Sequence, residues 1–228
     1  MTTTLASPRA ELQRLLDRVT GDEKHSPSAH STLDVLWVLY DRVLRVTPET
    51  SDDPDRDRFL LSKGHGPAAY YAVLAAKGFI PAAWLDDVAS WASPLGHHPD
   101  RQRIPGVEIS SGSLGHGLPL AVGVALGLRA QGLLQPRCFV LVGDAELDEG
   151  SNHEAIAYAG ATGLDAITTV VIDNRSATHG WPGGIASRFS VNGWSATTID
   201  GRAHDEIEAA LRAHQPGRPH AVVATVKG

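Results

Sequence analysis

The sequence holds a single cysteine, Cys138, in 228 residues, so no disulfide can form within the chain and a reducing compartment is expected. Cys138 lies inside the apolar run CFVLV and reads as a buried strand residue. Positive charge is also short. Twenty Lys and Arg face 26 Asp and Glu, and a net charge of −6 disfavours nucleic acid or an anionic membrane as the main partner. No apolar run approaches the roughly 20 residues that cross a bilayer. The opening MTTTLASPRAELQRLL has no basic stretch followed by an apolar core, so a soluble cytoplasmic protein is expected. Several chemical signatures are missing too. SSGSLGHG places its glycines at 112, 115 and 117, out of order for a dinucleotide fingerprint, and no convincing apolar strand precedes it. A P-loop is absent, and no histidine pair has the H-E-x-x-H spacing, which disfavours zinc. Internal repeats and low-complexity segments are lacking as well.

What remains is an alternation of strand and helix patterns. Leu12, Leu15, Leu16 and Val19 share one face of a helix over 8–19, and GDEKHSPSAH then breaks the pattern. Ser31 and Asp34 resemble a capping box opening a buried helix that runs to about Val46. FLL is a short strand stopping at a Gly-His-Gly turn, and Pro67 opens a helix that Gly78 ends. A short helix is expected from Pro81 to about Ala92, then a long ordered loop over 93–113, of the kind that is more often functional than idle. Leu114 to Ala130, rich in small residues, reads as a tightly packed helix, and a second long loop spans 175–194. SATTID and HAVVATV are strands with an amphipathic helix, AHDEIEAALRAH, between them. The alternation implies an α/β fold: a doubly wound, mostly parallel sheet flanked by helices.

The stretch from Gly143 to Ser176 carries the most chemistry. CFVLV runs into Gly143-Asp144, a helical segment follows, and ITTVVI ends at Asp173-Asn174: a strand, a crossover helix and a second strand. Ligands of parallel α/β sheets bind outside the carboxyl ends of the strands. Asp144 and Asn174 both fall there, thirty positions apart, each with an oxygen for a hard cation such as Mg²⁺. Of the acidic cluster Glu146, Asp148, Glu149 and Glu154, the residues Glu149 and Glu154 open the crossover helix, and its positive end accounts for one of them. His25, His65, His98 and His116 all stand in loops or at helix starts. A loop histidine alone is usually a surface residue, but four around one parallel sheet point to polar substrate binding or proton transfer.

Together these segments resemble the N-terminal, diphosphate-binding half of transketolase, a thiamine-diphosphate enzyme. Gly143-Asp144-Ala145 and Asn174 stand where that family has G-D-G and, about thirty residues on, Asn. LSKGHG (61–66), GHHPD (96–100), PGVE (105–108) and GSLGHG (112–117) follow in the family's order, and the likeness runs from about His25 to Val226. It implies one thiamine-diphosphate-binding domain over 1–228, with Asp144 and the Asn174 side-chain oxygen coordinating Mg²⁺ (or Ca²⁺) and the Ser176 carbonyl as a third ligand. The backbone of Gly143, Asp144 and Ala145 would approach the diphosphate. His65 would lie near the diphosphate and the reacting centre, and His25 and His98 would contact sugar hydroxyls. Leu114 and Gly115 would border the cofactor ring, beside His116 at a position often held by Gln, and Glu149 would join a network linking cofactor sites across a dimer.

The implied activity is ketol transfer, a two-carbon unit passing from a ketose (phosphate) to an acceptor. The alternatives are the first component of a 2-oxo acid decarboxylase or dehydrogenase feeding a lipoyl or carrier-protein thiol, and a non-catalytic relative. The pyrimidine-binding domain that completes such a site would come from a second polypeptide, in an α2β2 assembly. The chain departs from the family pattern in three places. Ala145 replaces the second motif glycine, KHSPSAHS lacks the glycines that usually follow the first histidine, and the sequence ends at ATVKG before a further histidine-bearing segment. Ala145 is tolerable if its φ stays negative.

Overall fold

The computed structural model describes residues 8–20 and 26–226. Five parallel strands form one sheet in the order β1-β2-β3-β5-β4: β1 (Arg58–Leu61), β2 (Cys138–Gly143), β3 (Ile167–Asp173), β4 (Ser195–Asp200) and β5 (His220–Thr225). Runs such as CFVLV and ITTVVI are buried along nearly their whole length because both sheet faces are covered. On one face α1 (Pro8–Asp17), α2 (Ser26–Val38), α3 (Pro67–Ala76) and α7 (His204–Arg212) pack on Phe59, Phe139, Val170 and Val222. On the other, α4 (Gly117–Ala130), α5 (Gly150–Ala161) and α6 (Ile185–Ser190) meet Leu60, Val140, Val171 and Ala221. This is the expected doubly wound parallel sheet.

Four boundaries differ from expectation. The second helix is already running at Ser26, and at Leu39–Val43 it loosens into a π-turn that ends where Leu44 N–H bonds Leu39 C=O at 2.8 Å. Asp34 is therefore inside the helix, past its start. Buried as it is, it must be paired, and it accepts Arg202 Nη1 at 2.7 Å and His204 Nε2 at 2.8 Å at the start of α7. The helix expected from Pro81 is a 3₁₀ segment, Ala82–Asp87. The helix expected from Leu114 starts at Gly117, so Leu114 to His116 stand in the preceding turn. The loop expected over 175–194 contains a short helix, α6; its Phe189 stacks edge-on against the fully buried Trp194 at 5.2 Å.

The loop over 93–113 holds no helix or strand, yet it is pinned from within. Leu95, Ile104 and Val107 are buried, and the Tyr71 and Tyr70 hydroxyls reach Gly96 C=O at 3.0 Å and Gly106 C=O at 3.3 Å. That anchorage brings GHHPD and GSLGHG to the carboxyl edge of the sheet, beside the ends of β1, β2 and β3. Among the described residues no helix is long and apolar enough to cross a membrane.

Candidate active site at the carboxyl edge of the sheet

The site grows from the ends of three adjacent strands. β2 and β3 pair in register through Gly143 and Ile172, so Asp144 and Asn174 leave the sheet side by side. Asp144 is only 3% exposed, and its carboxylate is filled by neutral donors. Oδ2 accepts Ser176 N–H at 2.7 Å and Ala177 N–H at 3.1 Å, while Oδ1 accepts Ala145 N–H at 2.9 Å and the Ser176 hydroxyl. The turn that delivers those donors depends on Arg175, which takes a left-handed φ of 60° that non-glycine residues seldom adopt. Its N–H is steadied by Asp173 Oδ1 at 3.3 Å. Beside this turn Asn174 Oδ1 is buried without any hydrogen-bond partner. A buried carboxylate with no guanidinium on it and an orphaned amide oxygen on the next strand form the donor chemistry that a hard cation takes.

Ser176 reaches Asp144 through its N–H and hydroxyl, whereas the resemblance implies a role for its carbonyl. Ala145 has no positive φ, so its methyl group is accommodated where the family carries glycine. It opens a short 3₁₀ turn, Ala145–Asp148, capped by Asp144.

The turn after β1 supplies two residues that the sequence pattern does not single out. Lys63 is 6% exposed, and its Nζ donates to His65 C=O at 2.7 Å. Burial pushes its amine down to about 8, against the upward pull of Asp144 and Glu146. A lysine between an apolar strand and a glycine gives little sign in sequence that it will be buried. Ser62, 1% exposed, is the second; it holds the start of α4 by accepting Gly117 N–H at 2.9 Å. Glu146, which the sequence offers only as part of an acidic cluster, is 2% exposed and bonds Gly115 and Gly143 N–H at 3.0 and 3.1 Å. Desolvation raises its carboxyl above the ordinary range, and these hydrogen bonds oppose that rise.

Of the histidines, His65 is exposed at the tip of its turn. His98 is partly buried between Gly64 and Gly112, with Nδ1 buried and unpartnered. A Cβ on Gly112, whose φ is +134°, would stand 2.9 Å from the His98 ring. The glycine therefore makes room for the imidazole. His116 is exposed and its Nδ1 lies 3.0 Å from Leu114 C=O, while Leu114 is 46% exposed. Gly115 takes φ +82° against Glu149, whose Cβ would sit 2.5 Å from an added methyl; Glu149 itself is exposed and caps nothing. His25 lies outside the described residues. Asp144, Asn174, Ser176, Gly143, Ala145, Gly115, His65 and His98 thus meet at one edge.

A cleft of about 330 Å³ opens beside Asp144, bordered by Asp148, Asp173, Arg175, Trp181 and Arg188. Arg188 lies 5.0 Å from the Trp181 ring centre and bonds Leu147 C=O, tying α6 to the 3₁₀ turn.

Comparison with known proteins identifies the family. Residues 13–228 match the family described as transketolase, thiamine diphosphate binding domain. A Rhodococcoides fascians protein named Ferredoxin fas2 is 61% identical over 216 residues, 95% of this chain and 71% of that protein. An apulose-4-phosphate transketolase subunit of Actinobacillus succinogenes is 36% identical over 212 residues, 90% of this chain and 76% of its own. Among solved structures, transketolase from Leishmania mexicana superposes with a TM-score of 0.77 at 24% identity, over 95% of this chain and 35% of that enzyme; this likeness speaks to the fold. The chain belongs to the transketolase family, as its thiamine-diphosphate-binding domain.

Proposed function

We propose that the chain is the diphosphate-binding subunit of a thiamine-diphosphate- and Mg²⁺-dependent ketol transferase, completed by a partner chain bearing the pyrimidine-binding domain. The single observation that carries the metal reading is the pairing of Asp144 with the orphaned Asn174 Oδ1 at adjacent strand ends. The residues present fit the group. Asp144 and Asn174 would hold the cation, joined by the Ser176 carbonyl, and the turns at Gly143–Ala145 and Gly115 would border the diphosphate. Leu114 and His116, in the same turn as Gly115, would flank the cofactor ring, with Glu149 in the network joining paired sites. Bound thiamine diphosphate supplies an electron sink for breaking the C–C bond beside a ketose carbonyl.

The chain's own part is to bind, orient and handle protons. His98, with a free Nδ1 in a glycine-walled slot, would hold a substrate hydroxyl, and the exposed His65 would exchange protons near the reacting carbon. His25 would join them. The 36% identity to a protein named as one subunit of an apulose-4-phosphate transketolase supports a phosphorylated ketose donor and a two-chain enzyme. One further chain of each kind makes the expected α2β2 assembly in the cytoplasm.

A second reading is favoured by one observation, the name ferredoxin on the 61%-identical relative. In that reading a 2-oxo acid is decarboxylated and the resulting two-electron equivalent passes to an iron–sulfur protein. Cys138 is the sole cysteine, so these 228 residues cannot supply a four-cysteine cluster; it would sit outside them.

The test combines the chain with its partner, thiamine diphosphate and Mg²⁺, then measures sugar-phosphate cleavage beside 2-oxo acid decarboxylation with a ferredoxin-type acceptor. Cleavage of the ketose phosphate is expected. Decarboxylation with acceptor reduction, and no ketose cleavage, supports the second reading. No thermal stabilisation by cofactor plus metal, with the partner present, overturns both.

A further inference from the structure

Three turns of the carboxyl edge are fastened to one another through a single carboxylate. Glu146 Oε1 accepts Gly115 N–H at 3.0 Å and the Ser62 hydroxyl, and Oε2 accepts Gly143 N–H at 3.1 Å. The Ser62 hydroxyl in turn accepts Gly117 N–H at 2.9 Å. From the other side Asn152, fully buried in α5, grips the Glu146 carbonyl through Nδ2 at 2.6 Å. The turn after β1, the turn before α4 and the turn after β2 thus share one hydrogen-bonded knot, with Glu146 at 2% exposure.

Burying a carboxylate is costly unless its oxygens are satisfied, and here they are satisfied by backbone amides and a hydroxyl from segments far apart in sequence. Packing alone does not call for such a group; an apolar side chain would fill the space without the desolvation. What the carboxylate adds is direction. Gly143 is the last residue of β2, beyond the end of β1, so its N–H has no strand partner on that side and Glu146 takes it.

We propose that Glu146, acting through Ser62, is a positioning residue that sets the three cofactor-facing turns before any cofactor arrives. The inference rests on the proposed function, in which two of these turns border the diphosphate and the third carries His65. It also carries a specific consequence: the Gly115, Gly117 and Gly143 amides are consumed inside the protein and are not available as phosphate donors. The knot fixes where the turns stand without touching the ligand.

Amide hydrogen exchange of the full chain without cofactor tests the knot residue by residue. Glu146→Ala is expected to speed exchange at both Gly115 and Gly143 on the order of tenfold. Glu146→Gln has one acceptor oxygen instead of two, so it is expected to free one of these amides and keep the other. Ser62→Ala, which retains the carboxylate, is expected to free Gly117 most. In the complex with Mg²⁺ and the partner chain, Glu146→Ala and Ser62→Ala are expected to raise the thiamine diphosphate Kd about tenfold, as loss of an outer-shell partner does, with kcat at saturating cofactor changed less. Wild-type exchange rates in both alanine variants would overturn the knot. Faster exchange with an unchanged Kd would make Glu146 a folding residue only, which also overturns the proposal. A wild-type complex that binds no thiamine diphosphate overturns the functional reading instead, and the exchange pattern of the cofactor-free chain tells the two failures apart.

Discussion

Two buried aspartates stand at opposite ends of the same sheet, each 3% exposed, and they are completed in opposite ways. Asp57 precedes β1 and accepts Arg45 N–H at 3.0 Å, the Arg45 guanidinium at 2.9 and 3.4 Å, and Arg137 N–H at 2.8 Å. Its counter-charge is built in. Asp144 follows β2 and accepts three backbone amides and a hydroxyl, with no guanidinium. The charge of Lys63 acts on it through space, and the Lys63 Nζ donates to the His65 carbonyl. A fold that neutralises one buried carboxylate and leaves the other to neutral donors leaves the second open to the cation proposed above. The orphaned oxygen of Asn174 lies on the same side of that divide.

Exchanging the roles of the two aspartates would break this contrast, and here the largest effects are expected. Asp57→Ala leaves the Arg45 and Arg137 backbone amides without their acceptor, while the half-exposed Arg45 guanidinium returns to water, and is expected to cost about 2 kcal/mol of stability, read in urea unfolding, with the thiamine diphosphate Kd unchanged. Asp144→Ala is expected to remove the thermal stabilisation by thiamine diphosphate plus Mg²⁺ while changing cofactor-free stability less than Asp57→Ala does. Equal loss of stability in both variants, with cofactor response kept in both, would erase the distinction.

The fold is largely legible because the central parallel strands, buried on both faces, announce themselves as apolar runs, and the Gly143–Ser176 unit stands where the pattern puts it, as does the partly exposed edge strand SATTID. The misses share a cause. Asp34 sits in a plausible capping pattern, but it is spent on Arg202 and His204 from 168 and 170 positions away, a partnership that no local rule contains. Glu146 and Lys63 likewise look like surface charges in a polar stretch, because the donors and acceptors that bury them arrive from other turns. Asn174 and Asp144 can be placed together since their positions follow from strand ends alone. α6 escapes the sequence pattern because its six residues are stabilised by Phe189 against Trp194 rather than by a local signal.

The functional end can be probed further without touching a charge. Gly112→Ala puts a methyl group at φ +134° and within 2.9 Å of the His98 ring. It is expected to cost about 1–3 kcal/mol and, in the protein that still folds, to raise the KM for the donor more than it lowers kcat. A normal KM would remove His98 from substrate binding. Asn174→Ala separates binding from stability more finely. It deletes a buried oxygen that has no partner, so cofactor-free stability is expected to hold or rise slightly, while Mg²⁺-dependent binding weakens by about tenfold. A stability loss with unchanged binding would place Asn174 with Asp57, among groups that serve the fold.

The smallest effect belongs to the structural end and tests whether it is closed to external charge altogether. His220, which begins β5, is 5% exposed, and its Nδ1 lies 2.8 Å from the Ser195 hydroxyl. Desolvation first, and then the positive charge of Arg137, hold its pKa below the usual imidazole value. The unfolded chain therefore takes up a proton at this residue at a pH where the folded chain still refuses it. Stability from the neutral ring is fully present above the unfolded pKa of about 6.5 and is lost as pH falls from there toward the folded pKa. His220→Gln is expected to flatten that part of the Tm-against-pH curve and to leave cofactor binding untouched. If the slope survives the substitution, the acid sensitivity comes from elsewhere; if cofactor binding moves with it, the two ends of the sheet are not independent.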